Sequence, residues 1–141
     1  MESKNKTILV TASAKRLGKF IAIDLIKKGW KVAIHYNKSK MLAEDTADYL
    51  FKIGGNVSTH QADLTCNSDV EKLVNEIEAQ DSKWVGLINN AGYFNYDDGN
   101  SFKEEELHRH MSVNFIAPTL LTKALAKYTM KMTKKESSSK G

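Results

Sequence analysis

Residues 7–18, Thr7-Ile8-Leu9-Val10-Thr11-Ala12-Ser13-Ala14-Lys15-Arg16-Leu17-Gly18, pass from an apolar strand-like stretch directly into an amphipathic segment. A strand that turns this abruptly into a helix gathers unpaired backbone amides and the positive end of a helix dipole at one spot, which can hold a pyrophosphate. Glycines in such a turn let the backbone approach phosphate closely. This turn keeps Gly18, while Ala12 and Arg16 stand where the other two glycines of a dinucleotide-binding turn fall, so spacing alone also fits an ordinary strand-to-helix turn.

Working outward, apolar runs alternate with helical periods along the chain. Thr7 to Thr11 predicts a strand, Leu17 to Lys28 a helix, Lys31 to Tyr36 a strand, Lys40 to Ile53 a helix and Asn56 to Gln61 a strand. Asn67 to Gln80 reads as helix, Trp84 to Asn89 as a buried strand, and Ser101 to about Tyr128 as one long helix or two abutting ones. Ser68 with Glu71, and Ser101 with Glu104, have capping-box spacing; Gly29 and Gly54-Gly55 suit left-handed helix ends. Such alternation implies right-handed crossovers and a doubly wound parallel sheet of about four strands, order 3-2-1-4, with helices on both faces. Residues 130–141 are Lys/Ser-rich without apolar period and read as a disordered polar tail, leaving residues 1–129 as the domain.

Composition narrows the class. The 141 residues are 41% hydrophobic, enough for one packed core. The excess of 21 basic over 17 acidic residues is spread along the chain and weighted to its ends, so a nucleic-acid partner is not expected. The one cysteine, Cys66, has no partner, which excludes a disulfide framework, suits a reducing compartment and reads as a buried thiol. Met1 to Lys6 is polar and the first apolar run is too short for a signal or membrane span, so no membrane is expected and the chain reads as cytoplasmic. His108 and His110, two apart, point to different sides of a helix and have no ligand set around them, so no metal is expected.

The residues near the turn bear on its ligand. The second strand runs into His35-Tyr36-Asn37-Lys38-Ser39, without the Asp or Glu that accepts from a ribose 2′-hydroxyl at an NAD site. A cation and a hydroxyl suit a 2′-phosphate instead, and Lys15, Lys38 and Ser39 are candidates to converge on one. The bland alternative is that all three are solvated surface.

Taken together, these motifs resemble the short-chain dehydrogenase/reductase family. The first turn corresponds to that family's Thr-Gly-x-x-x-Gly-x-Gly, Asp63-Leu64 to its adenine-side pair after the third strand, Asn89-Asn90-Ala91-Gly92 to its fourth-strand motif, and Asn114 before Ala117-Pro118 to its helix Asn. The resemblance runs from Thr7 to Tyr128 and implies a Rossmann-like fold, NADP(H) as cofactor, and cofactor contacts at Thr11, Ser13, Lys15, Arg16, Leu17, Gly18, at residues 35–39, at Asp63 and Leu64, and at Asn90, Ala91 and Gly92. Within the family the chain is most similar to pteridine reductases and dihydromonapterin reductase-like members. There, an Arg at the position of Arg16 reaches phosphate or pterin, and an aromatic at the position of Phe94 stacks on the pterin; the alternative for Phe94, between Tyr93 and Tyr96, is a loop covering the core. Two positions depart from the pattern. Gly92 stands where pteridine reductases often carry Ser. Ala12 adds a methyl where the backbone is tight, so Ala12→Gly is expected to tighten dinucleotide binding while lowering stability.

The family's catalytic Tyr and Lys, one helical turn apart, and its fifth-strand Ser or Asp are expected several tens of residues beyond Asn114, which leaves Asn114 as the one catalytic-type residue. The sole Tyr-x-x-x-Lys string, Tyr36 to Lys40, falls at the end of the second strand, on the adenosine side. The chain therefore reads as the truncated N-terminal portion of an NADP(H)-dependent reductase of pteridines or carbonyls, taking a small-molecule substrate only when completed by further segments. It is expected to expose the fourth strand with Val85, Leu87 and Ile88, and to present Val113, Ile116, Leu120 and Leu121 of the Asn114 helix for homo-oligomer contacts. The alternatives are a non-catalytic nucleotide-binding or interaction module, and a non-functional fragment of a disrupted reductase gene.

Overall fold

A computed structural model describes residues 5–139. The elements in order are β1 (Lys6–Val10), α1 (Arg16–Lys27), β2 (Lys31–Tyr36), α2 (Lys40–Lys52), β3 (Val57–Gln61), α3 (Asn67–Glu78), β4 (Lys83–Ile88), α4 (Glu104–Met111), a π-helical stretch (Ser112–Ile116) and α5 (Ala117–Ser138). All three strand pairings are parallel and the sheet order is β3-β2-β1-β4, as the alternation predicts. The strands read as near-continuous apolar runs because both faces are covered. On one face Val10, Val32 and Ile34 pack with Ala22 and Ile26 of α1 and Ala43 and Leu50 of α2. On the other, Leu9 and Ala33 pack with Val70, Leu73 and Ile77 of α3, Leu121 of α5, and Trp84.

Helix ends divide by mechanism. Gly29 and Gly54, both at φ 86°, follow α1 and α2. Trp30 and Gly55 then donate their amides back to Leu25 and Leu50 carbonyls, the Schellman arrangement. Neither expected capping box forms. α3 starts after Cys66, where Asp69 reaches back to the amide of Asp63 at 2.8 Å; α4 starts after Lys103, and Ser101 Oγ accepts from the Asp98 amide at 3.0 Å. The Ser68 hydroxyl lies 3.0 Å from the Cys66 thiol and the Ser101 hydroxyl is held by the Asp98 turn, so neither reaches a helix-start amide.

Other expectations are corrected. Cys66 is exposed, because it lies outside the first turn of α3 with its thiol 3.0 Å from Ser68 Oγ. The long helical region is interrupted by the π-helical stretch, which holds Asn114. Residues 130–138 continue α5 instead of forming an irregular tail. Thr129, Thr133, Ser137 and Ser138 each fold a hydroxyl onto the carbonyl four residues before, and Lys83 pairs with Glu136. The last two positions of that expected tail, and Met1 to Lys4 of the polar start, lie outside the described residues.

β4 stands at the sheet edge, yet of its apolar side chains Val85 alone is markedly exposed, at 41%. Leu87 and Ile88 point to opposite faces and pack on the two cores. What β4 leaves open is its backbone edge. Likewise Leu121 is fully buried and Val113 and Leu120 pack inward, so from the expected helix face Ile116 is exposed, with Phe115 beside it. No helix among the described residues is long and apolar enough to cross a membrane.

Candidate functional site

The three carboxyl ends of β1, β2 and β4 meet at the phosphate-type turn, where a doubly wound sheet opens its ligand crevice. Both non-glycine residues with left-handed backbone among those described lie here: Ala12 at φ 50° and Arg16 at φ 52°. These are the two positions where the dinucleotide-binding turn carries glycine. The turn holds this shape because it is pinned from every side. The Ala12 amide donates to His35 Nδ1 at 3.0 Å, the Ser13 amide to the His35 carbonyl at 3.1 Å, and Thr46 Oγ1 of α2 to the Ala14 carbonyl at 2.9 Å. Asn90 Nδ2 donates to the carbonyls of Thr11 and Ala12 at 3.0 and 3.2 Å. A methyl on Gly18 would collide with the Ala12 carbonyl oxygen and come within 2.7 Å of Asn90 Nδ2 and Ser13 Cα.

These contacts sort the expected cofactor residues. Thr11, Ser13 and Asn90 turn their side chains into the scaffold. Thr11 Oγ1 accepts from the amides of Asn90 and Ala91 at 3.0 and 2.9 Å, tying β1 to β4, and Ser13 Oγ donates to the Val10 carbonyl at 2.7 Å. His35 is buried and spans the sheet, accepting from Ala12 at Nδ1 and donating from Nε2 to the Ala62 carbonyl at 3.0 Å. Its imidazole is therefore neutral, and burial pushes its pKa below the ordinary value. Tyr36 packs its ring on the α1/α2 core and Lys40 sits 3.7 Å from Glu44, so the one Tyr-x-x-x-Lys string does not make a catalytic pair.

A cavity of about 350 Å3 opens beside the turn. Ala12, His35, Asn37 and Lys38 line it from one side, Asp63 and Leu64 from the next strand end, and Ala91 and Gly92 from the third. Asp63 accepts from both the amide and the hydroxyl of Thr65, at 2.9 and 2.7 Å, which holds its carboxyl below the usual range. Of the three candidates for a 2′-phosphate, Lys38 lines this cavity; Lys15 and Ser39, which directly precede α1 and α2, do not, and neither side chain caps its helix. Lys15 makes no side-chain cap, so no side chain of the preceding residue covers the first-turn amides of α1. Arg16 and Leu17 are exposed at the mouth of the turn.

Four cavity residues escaped the sequence reading: Thr65, Tyr93, Arg109 and Val113. Thr65 and Tyr93 directly follow recognised motifs, and Arg109 and Val113 are one helical turn apart, which was the available signal. Asn114 sets this wall. Its Oδ1 accepts from the Tyr93 amide at 2.7 Å and its Nδ2 donates to the Tyr93 carbonyl at 2.8 Å. The Tyr93 hydroxyl donates to Glu106 at 2.6 Å, and the Arg109 guanidinium lies 5.4 Å over the ring. Phe94 lies outside the cavity, 71% exposed and edge-on to Tyr96 at 4.9 Å. His108 pairs with Glu104 and His110 stacks edge-on against Tyr93; among the described residues no group of metal-ligating side chains is close enough to hold an ion.

Residues 6–139 match the short chain dehydrogenase family. The chain belongs to that family. A Bacillus subtilis short-chain dehydrogenase/reductase homolog, YusS, is 36% identical over 91 residues, covering 64% of this chain and 84% of that one. The 3-oxoacyl-[acyl-carrier-protein] reductase FabG of Aggregatibacter actinomycetemcomitans is 29% identical over 111 residues, 78% of this chain and 46% of that one. Among solved structures, FolM alternative dihydrofolate reductase 1 from Brucella canis, complexed with NADP, superposes with a TM-score of 0.83 at 34% identity, over 91% of this chain and 52% of that one. The chain thus spans about half the length of FabG and FolM.

Proposed function

We propose that this chain is the cofactor-binding portion of an NADP(H)-dependent short-chain oxidoreductase. The observation that carries the reading is Lys38: the end of β2 offers the cavity a cation and no carboxylate, facing Asp63 across the space an adenosine would fill. The residues present fit the cofactor. Gly18 keeps the turn close to the start of α1, whose first amides suit a pyrophosphate, and the ionised Asp63 suits the adenine amino group. The NADP complex of FolM supports the same choice. NADP(H), when bound, supplies hydride; the residues of this chain bind and orient it. Asn114, clamping Tyr93, shapes the wall rather than moving a proton.

The finer reading is reduction of pteridines or carbonyls, with Phe94 and Arg16 at the substrate end. It rests on the similarity to FolM and on the exposed aromatic pair Phe94–Tyr96. Because Tyr36 and Lys40 face separate partners, the chain alone holds cofactor without turning it over. The exposed Phe115 and Ile116 offer a surface for a second copy, and the exposed, unpaired Cys66 suits a reducing, cytoplasmic setting.

Calorimetric titration tests the reading. NADPH is expected to bind more tightly than NADH by about 2 kcal/mol, roughly 30-fold. Lys38→Ala should erase that preference and leave NADH affinity nearly unchanged. Equal or tighter NADH binding by the native chain would overturn it.

A further inference from the structure

β3 forms the outer edge of the sheet, on the side of β2 away from β1. Ser58 and His60, two residues apart on that strand, present their side chains to one face, where Glu76 and Gln80 lie four apart on or just beyond α3. His60 Nδ1 is 2.8 Å from Glu76 Oε2, and His60 Nε2 is 3.0 Å from Ser58 Oγ. Gln80 Nε2 completes the group, 3.1 Å from Ser58 Oγ and 3.0 Å from His60 Nε2, while its Oε1 is buried without a partner. His60 is 8% exposed, Ser58 is partly open, and Lys72 lies 3.8 Å from the other oxygen of Glu76.

A serine hydroxyl is a poor nucleophile until a base within hydrogen-bond reach can take its proton and a third group orients that base. The order here is carboxylate, imidazole, hydroxyl, with both links at hydrogen-bond length. Holding α3 on β3 does not need it, since Val70, Leu73 and Ile77 already bury that helix against the sheet. The carbonyl oxygen of Gln80, in the same group, is buried without a partner, so the group is not a fully satisfied packing contact. The Asn56 carbonyl and the Ala62 amide pair with β2, so strand alternation turns the amide of Thr59, next to Ser58, to the free edge. That places an unpaired donor beside the nucleophile. None of these residues lines the dinucleotide cavity.

We propose that Ser58, His60 and Glu76 form a second site, an acyl-transfer centre acting on small activated esters. Ser58 Oγ bonds to the ester carbonyl carbon as His60 Nε2 takes the hydroxyl proton. The bond from that carbon to the alkoxy oxygen breaks, and the alcohol leaves with the proton. Water then attacks the acyl carbon, giving a proton to His60; the acid departs and the proton returns to Ser58 Oγ. Glu76 is a positioning residue, holding the ring through Nδ1 with Nε2 towards Ser58.

The full chain is treated with p-nitrophenyl acetate and, separately, with a fluorophosphonate probe, followed by peptide mass spectrometry. Acetyl and phosphonyl adducts are expected on Ser58, with p-nitrophenol released faster than by Ser58→Ala. His60→Gln should slow acylation by about 10²- to 10⁴-fold. Glu76→Gln, which keeps the shape but removes the charge, should lower the acylation rate constant without changing its dependence on ester concentration. Far-ultraviolet circular dichroism and urea unfolding of each variant should match the native chain, which shows that the fold survives whether or not the cofactor reading holds. Ser58→Ala hydrolysing as fast as the native chain, or adducts on other residues alone, overturns the proposal.

Discussion

Two sets of turns in this chain use left-handed backbone, and they are built on opposite residues. At the ends of α1 and α2, Gly29 and Gly54 take φ 86° with no Cβ to strain. At the phosphate-type turn, Ala12 and Arg16 take φ 50° and 52°, which for an L residue costs roughly 1 to 2 kcal/mol each. The helix ends relax; the turn does not. The difference lies in what surrounds them. Nothing lies near a Cβ built on Gly54, whereas the turn is held by His35, Thr46, Asn90 and the close pass of Gly18. Strain of this kind persists where neighbours over-determine the backbone, and it concentrates at ligand sites.

The hardest blow to that picture would come at Gly18. Gly18→Ala forces its methyl into the Ala12 carbonyl and should destabilise the chain by about 2 to 3 kcal/mol in urea unfolding, with NADPH binding lost. A cost under about 1 kcal/mol would mean the turn yields easily and is not over-determined. Next is the control at a relaxed end. Gly29→Ala should cost about 1 to 2 kcal/mol in the same assay and leave cofactor affinity unchanged.

Ala12→Gly sharpens the comparison from the other side. On sequence grounds, affinity and stability move in opposite directions, because glycine loosens the unfolded chain. The observed φ of 50° changes the balance, since relief of left-handed strain outweighs an unfolded-state cost of roughly 0.4 to 1 kcal/mol. Stability should rise by about 0.5 to 1 kcal/mol and NADPH affinity should rise with it. A fall in melting temperature would restore the sequence-based expectation.

The smallest effect is a pH slope. His35 must stay neutral to accept from the Ala12 amide, and burial lowers its folded pKa below the ordinary 6.5. The unfolded chain therefore binds the proton first. The stability tied to this group is complete above about pH 6.5 and declines as pH falls from there towards the folded pKa, with a slope of less than one proton. His35→Phe should remove that part of the slope. Denaturation midpoints unchanged between the two proteins across this range would show that His35 does not carry it.

How much was legible in the sequence follows from which signals are local. The period of apolar residues placed four strands and their helices, and right-handed crossovers between them gave the order β3-β2-β1-β4. Gly29 and Gly54 announced two helix ends because left-handed backbone selects glycine residue by residue. The absence of an acid after β2 was likewise written in the residues themselves.

Only the tertiary structure decided which groups of the expected site face inward. Thr11 meets Asn90 and Ala91 across some eighty residues of chain, and that meeting turns a supposed cofactor ligand into a scaffold tie. Tyr93 and Arg109 enter the cavity wall because Asn114, in a π-helical stretch that periodicity does not announce, grips the Tyr93 backbone. Ser68 and Ser101 had the spacing of caps, but Asp69 and Asp98 compete for the same turns with partners that spacing alone does not rank. Residues 130–138 lacked an apolar face, yet hydroxyl-to-carbonyl bonds and the Lys83–Glu136 pair accompany the helix there. Periodicity reports which face of an element is buried; which polar group meets which depends on distances through space that exist only once the sheet has closed.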